Sequence, residues 1–309
     1  MASKRRNMFQ KNKTQETTEI ELEHCLKKVG VAGLVGIQAP GANNLYDTLV
    51  AVAPEIPKAS PSGRIQSSKL PQLRRLIMAT NDDHPGAETM KNVLRLGINP
   101  ARIEELEETI QPDDPTSIQF SSGTTGRPKA AVLSHFNIVN NSYFFGKRLG
   151  LHKKEHRICL QVPLFHTFGS TIGILGAINH GATLVMPSPK FSARSTIEAI
   201  KRARCSVIYG TPTMYTDLCA RVEDKVEGDL DLRESIRNVE EVVSGGATFN
   251  PAQFERISKT FQRANINSIY GMTESSPLVL QTMPDDPLEK RIDSVGRVSD
   301  HAEVTYNSN

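Results

Sequence analysis

The sequence has no tryptophan, and only 6% of its residues are aromatic. A surface that stacks unpaired bases needs a row of exposed rings, so that class of nucleic-acid binder is excluded. Cysteine is equally scarce: Cys25, Cys159, Cys205 and Cys219 are scattered, with no CxxC pair. Neither a zinc cage nor a disulfide framework is expected, and small core residues in a reducing compartment fit better. Net charge is nearly absent, at +3, which removes the electrostatic footprint of a nucleic-acid or membrane-surface protein. Residues 158–188 contain no Lys, Arg, Asp or Glu, yet Gln161, Pro163, His166, Asn179 and several glycines interrupt them. No apolar segment of about 20 residues remains, so no transmembrane helix is expected. This stretch reads instead as buried core with a binding site. Residues 1–18 lack the apolar core of a secretory signal. They are basic and polar, from Lys4 to Lys13, and a disordered terminus is expected there.

What is present is an ordinary globular composition, 38% hydrophobic and 23% charged, in 309 residues. That length suffices for one large domain or two average ones with a substantial core. Strand and helix patterns alternate. Helices are predicted over 21–28, 44–52, 89–96, 103–110, 135–149, 170–178, 193–204, 212–222 and 251–263. Strands are predicted over 31–37, 75–80, 157–162, 182–186, 206–209, 240–243 and 265–270. The strand at 31–37 is expected to be buried, and 54–72, rich in Pro, Ser and Lys, to be a surface loop. Such alternation predicts an α/β fold, a largely parallel sheet covered by helices on both faces.

The chain is organised around Ser121-Ser122-Gly123-Thr124-Thr125-Gly126-Arg127-Pro128-Lys129. Apolar runs flank it, Ile118–Phe120 before and Ala130–Leu133 after, which predicts strand, loop, strand. Two glycines let the backbone fold closely round a ligand. Ser121, Ser122, Thr124 and Thr125 offer hydroxyls, free N–H groups join them, and Lys129 adds a positive charge at the rim. This is a cradle suited to a polyphosphate. It is not the Walker pattern, because no Ser or Thr follows Lys129, so an unrelated P-loop hydrolase is set aside.

A second motif, Tyr270-Gly271-Met272-Thr273-Glu274-Ser275, follows a short strand. Loops at the carboxyl ends of parallel strands form ligand sites. Thr273 brings a hydroxyl, Glu274 a carboxylate suited to Mg²⁺, and Tyr270 a flat apolar face. The same letters also describe a tight turn with a solvated glutamate. His166, in Val162-Pro163-Leu164-Phe165-His166, has the alternative of a satisfied core histidine. Gly245, Gly246 and Ala247, in Ser244-Gly245-Gly246-Ala247, are equally compatible with a strand-to-helix turn.

Taken together these strings resemble the adenylate-forming, AMP-dependent synthetases. The glycine-rich string matches that family's phosphate loop almost letter for letter, with Ala130 standing where glycine is usual. The Tyr270–Ser275 string resembles the family's second signature. The resemblance runs from about residue 20 onward. YGTPTM, SVGR and DDPTSIQFSSGTTG carry a narrower likeness to medium-chain acyl-CoA synthetases of the mitochondrial type.

The resemblance implies a partial large N-terminal domain of the adenylate-forming fold over 19–309. On this likeness the small C-terminal domain, with its catalytic lysine, is absent. It implies a ligase that converts a fatty acid, ATP and CoA, with Mg²⁺, into acyl-AMP and then acyl-CoA. Lys129, Thr273 and Glu274 are the catalytic candidates, Glu274 holding the metal. Ser122, Gly123, Thr124, Thr125, Gly126, Lys129, Gly245, Gly246, Ala247, Tyr270, Gly271 and Thr273 are the nucleotide candidates. His166, Phe168, Tyr209 and Gly210 are placed at the acyl site. A mitochondrial location is implied, with the cytoplasm as the alternative. The alternative function is a non-catalytic ATP-binding fragment of such an enzyme.

Overall fold

A computed structural model describes residues 19–37, 44–61, 63–80, 82–121 and 128–305. The expected disordered terminus, 1–18, and the loop residues Ser122, Gly123, Thr124, Thr125 and Gly126 lie outside them. The chain forms two compact units: residues 1–110 with 120–130, and residues 111–119 with 131–309.

In the first unit, α1 (Glu19–Val29) leads to β1 (Gly33–Gly36), α2 (Leu45–Val52), β2 (Arg75–Met78) and β3 (Glu88–Thr89). α3 (Met90–Arg95) and α4 (Pro100–Glu107) follow. The helix starts are written in local chemistry. Asn44 caps α2 by accepting from the backbone N–H groups of Tyr46 and Asp47, and Asn99 caps α4 with Pro100 in its first turn. The three strands form a parallel sheet, order β1-β2-β3. Two expectations are corrected here. β1 lies at the sheet's edge and Val35 is 56% exposed, so the strand is not fully buried. The segment 54–72 is no plain surface loop: Ile56, Ile65 and Leu70 turn inward and pack with Leu22, Leu49 and Leu76. Proline and serine mark turns but say nothing of which side chains between them face the core.

β4 (Pro115–Ser121) and β5 (Lys129–Ser134) form a two-stranded sheet. They are the strands predicted to bracket the glycine-rich loop. α5 (His135–Leu149) starts at once, capped by Ser134 and Asn137 in a reciprocal box and closed by Gly150 at φ +80°.

The second unit continues with β6 (Arg157–Leu160), a π-helix (Phe168–Leu175) running into α6 (Gly176–Asn179), and β7 (Thr183–Val185). Then come α7 (Ala193–Ala203), β8 (Val207–Gly210), α8 (Pro212–Glu223), α9 (Leu230–Arg237), β9 (Glu241–Ser244) and α10 (Pro251–Thr260). β10 (Asn265–Gly271), β11 (Leu278–Gln281), α11 (Leu288–Asp293) and β12 (Arg297–Val298) complete the described chain. The seven-stranded sheet has the order β12-β11-β10-β9-β8-β6-β7. Its five strands from β10 to β7 are mutually parallel, and β11 and β12 add an antiparallel edge. α9, β11, α11 and β12 are absent from the pattern predicted by sequence.

Side-chain alternation along the central strands builds two cores. Cys159, Ile208, Val242 and Ile266 face one way, with Ile197, Leu218, Ile236 and Ile257 from the helices. Ile158, Leu160, Tyr209 and Val243 face the other, under Phe145, Phe168 and Ile172. Period-two alternation with both faces apolar is what a parallel sheet covered on both sides requires. Cys159, Cys205 and Cys219 are buried and free, in keeping with their expected role as small core residues, and Cys25 is half-buried. No described helix is long and apolar enough to cross a membrane.

Candidate functional site

Four parallel strands of the second unit, β6, β8, β9 and β10, end on the same edge of the sheet. The chain leaving each of them carries a motif singled out from sequence. After β6, the chain turns so that His166 donates its backbone N–H to the Pro163 carbonyl at 3.2 Å. The N–H of Phe168 then donates to His166 Nδ1 at 3.1 Å. An acceptor at Nδ1 leaves the proton of the neutral ring on Nε2, and desolvation lowers the ring's pKa below its usual value. His166 is therefore neutral at pH 7, with an N–H to offer a carboxylate.

Phe168 starts the π-helix with its ring buried and stacked on Tyr209, centroids 5.9 Å apart and planes 23° apart. Tyr209 was expected to border the acyl channel, yet it is fully buried behind Phe168. Burial, and the nearby Glu241 carboxylate, push its phenol far above its ordinary pKa. In this geometry Tyr209 supports the ring of Phe168.

Gly210 ends β8, and its carbonyl accepts the N–H of Gly245 at 3.3 Å. A Cβ on Gly245 would lie 2.7 Å from Ile269 and 3.4 Å from the Phe168 ring. Packing alone thus requires glycine there, whatever flat ring the stretch also receives. Gly246 has φ +83° and turns the chain away, leaving Ala247 exposed. At the end of β10 the register shifts between Tyr270 and Gly271. A Cβ on Gly271 would overlap the Pro277 carbonyl, so the bulge needs glycine. Tyr270 is 49% exposed. Thr273–Ser275 forms a single 3₁₀ turn, with Thr273 half-buried and Glu274 exposed. The turn is held by Met272 N–H to the Pro277 carbonyl at 2.9 Å and by Ser275 Oγ to the same carbonyl at 2.5 Å.

The structure thus brings Phe168, Tyr209, Gly210 and Gly245 into direct contact, and places His166 and the Tyr270–Glu274 turn at the same sheet edge. Lys129 opens β5 with its side chain exposed and belongs to the other compact unit. The sequence reading missed Gln161 and Ser244. Gln161 Nε2 lies 2.6 Å from where a Gly210 Cβ would stand, and Ser244 is the strand partner of Gly210. Gln161 Oε1 accepts from Thr196 Oγ1 at 3.0 Å, while Gln161 Nε2 and Ser244 Oγ are buried with no partner among the described residues. The one signal in sequence was a glutamine inside an otherwise apolar run.

The donor set at the turn fits a hard divalent cation of the Mg²⁺ type. Glu274 is a single carboxylate beside a hydroxyl, and no cluster of three metal-ligating side chains exists among the described residues. Mg²⁺ is commonly held by one or two carboxylates, with waters and substrate phosphates filling its other positions.

Residues 14–305 match the family described as AMP-binding enzyme. The chain belongs to this family. Among curated AMP-binding relatives, the medium-chain acyl-CoA ligase ACSF2, mitochondrial, of Danio rerio is 37% identical over 287 residues. The Homo sapiens protein of the same name is 36% identical over 294 residues. Each alignment covers 92% of this chain and 46% of the relative, so the chain spans about half the length of the curated relatives it matches. Two solved structures share the AMP-binding fold. The anthranilate CoA ligase AuaEII, in complex with anthranoyl-AMP, has a TM-score of 0.70 at 20% identity, over 92% of this chain and 48% of that one. The long-chain-fatty-acid-CoA ligase FadD1 from Archaeoglobus fulgidus has a TM-score of 0.67 at 21% identity, over 91% of this chain and 50% of that one.

Proposed function

We propose that this chain carries the nucleotide and acyl sites of an acid–thiol ligase acting on medium-chain fatty acids, located in mitochondria. The observation that carries the reading is the gathering of three motifs on one sheet edge: His166–Phe168, Gly245–Ala247 and Tyr270–Glu274. A carboxylate entering at Phe168 meets an apolar ring and a neutral imidazole N–H. The exposed face of Tyr270 and the small residues Gly246 and Ala247 suit a base. Thr273 and Glu274 orient the phosphate end, with Mg²⁺ on Glu274 neutralising phosphate charge when bound. Lys129 and the hydroxyls of Ser122, Thr124 and Thr125, in the glycine-rich string of the other unit, are the further phosphate-binding candidates read from the sequence. The carboxylate attacks the α-phosphorus of ATP, pyrophosphate leaves, and the thiol of CoA then displaces AMP from the acyl-AMP. The first of these steps asks the protein for alignment and charge neutralisation more than for covalent help.

The test measures MgATP binding and acyl-CoA formation by the 309-residue chain, alone and joined to the C-terminal half of an ACSF2 relative. MgATP binding by both, with turnover in the joined protein, is the expected result. Turnover confined to the joined protein supports the second reading, that this chain by itself is an ATP-binding body. Absence of nucleotide binding in both overturns the proposal.

The metal assignment has its own check. Glu274→Gln is expected to weaken the Mg²⁺-dependent part of ATP binding by about 1.5–3 kcal/mol, the range for hydrogen bonds to charged groups, leaving metal-free binding nearly intact. Titrations with and without Mg²⁺ decide it, since equal losses in both mean that the glutamate only shapes the turn.

A further inference from the structure

Away from this site, the ends of α8, α9 and α10 border a half-open cavity of about 340 Å³. That volume lies at the small end of the range for ligand pockets. We propose that this cavity binds a small amphipathic carboxylate, at a site separate from the nucleotide and acyl sites. Its apolar wall is Val222, Val226 and Ile236. Val222 and Ile236 are buried members of one sheet core and Val226 packs against it, so the wall is the underside of that core. Its polar wall carries Arg233, Arg237 and Lys259.

The charges around the cavity are unevenly compensated. Glu223 also lines it, but Arg256 engages both its oxygens, with Nε to Oε1 at 2.9 Å and Nη2 to Oε2 at 2.5 Å. That pairing holds the Glu223 carboxyl below its ordinary pKa. Lys259 pairs with Glu255 at 2.7 Å. Arg233 and Arg237 make no side-chain hydrogen bond or ion pair among the described residues. They stand four residues apart on α9, where like charges repel across one helical turn. An anion between them removes the repulsion, and guanidinium groups match the fork of a carboxylate. An inorganic anion would leave Val226, the partly buried member of that wall, facing water. An anion with a short apolar tail covers both walls. The distance from the acyl site follows from α8, which starts at Pro212 beside the site edge and has 12 residues. At 1.5 Å per residue its other end, bearing Val222 and Glu223, is about 18 Å away.

Octanoate is the probe, read by ¹⁵N amide shifts of Val222, Val226 and Ile236 in the full 309-residue chain. Saturable shifts at these amides are expected. Octanoate affinity there should fall tenfold or more in Arg233→Gln/Arg237→Gln, and also in Val226→Phe, which fills the cavity and keeps the charges. Arg233→Lys/Arg237→Lys should retain part of the affinity. Unchanged affinity in the glutamine pair or in Val226→Phe, or shifts that avoid these three amides, would overturn the proposal. Saturation by inorganic phosphate or by octanol at the same concentration would overturn the amphipathic-anion class. None of these outcomes depends on whether the chain binds MgATP.

Discussion

Phe168→Ala is expected to lower the stability of the second unit by about 3–5 kcal/mol, the cost of removing a buried aromatic ring. The ring is 6% exposed and is stacked against Tyr209, itself fully buried. Its edge faces Gly245, which has no side chain of its own to move into the void. The stack adds about 0.5–1.5 kcal/mol beyond burial. Phe168→Leu should lose less, since most of the volume remains. Urea unfolding followed by tyrosine fluorescence measures both variants. A loss under about 1 kcal/mol for Phe168→Ala would mean that the ring is not anchored as described. Folded Phe168→Leu protein should bind medium-chain carboxylates more weakly and MgATP normally if, as proposed, Phe168 borders the acyl site.

Lys129→Ala is expected to weaken MgATP binding by roughly 1–3 kcal/mol, about fivefold to 150-fold. The side chain is exposed at the first residue of β5, so its removal opens no cavity and the fold should persist. Lys129→Arg keeps the charge and should recover part of the loss. Titration of MgATP into folded protein is the measurement. Unchanged affinity would remove Lys129 from the phosphate-binding groups.

Local chemistry was the readable part of this chain. Asn44, Ser134, Thr211 and Asn250 cap helices where the pattern turns helical, and Pro212 and Pro251 occupy first turns, so those starts were legible. β6, β8 and β9 were legible as short apolar runs because both their faces are covered. α9 was missed although Asp229 caps it and Leu232 and Ile236 face the core, because four of its eight positions, Asp231, Arg233, Glu234 and Arg237, are charged. β11 and β12 were missed for another reason. An antiparallel edge added through a turn depends on the bulge at Gly271 and on contact with the Pro277 carbonyl, which no local pattern announces. At the site, the motifs were visible as strings. The burial of Tyr209, the packing demand on Gly245 and the groups of Gln161 and Ser244 that find no partner among the described residues depend on neighbours far off in sequence.

Asn141 on α5 donates from Nδ2 to the Leu278 carbonyl at 2.9 Å and accepts the Leu278 N–H on Oδ1 at 3.0 Å. One side-chain amide here does what a neighbouring strand would do, serving both backbone groups of a β11 residue. α5 is thereby fastened to the main chain one residue beyond Pro277, whose carbonyl closes the Thr273–Ser275 turn. The fastening itself is indifferent to the Leu278 side chain, which is constrained instead by its packing with Phe145 and Phe168 in the core. It does depend on Asn141: aspartate offers no donor to the carbonyl, and leucine offers neither partner. A helix whose sequence looks like plain scaffold thus sets the position of the carboxylate-bearing turn through its backbone.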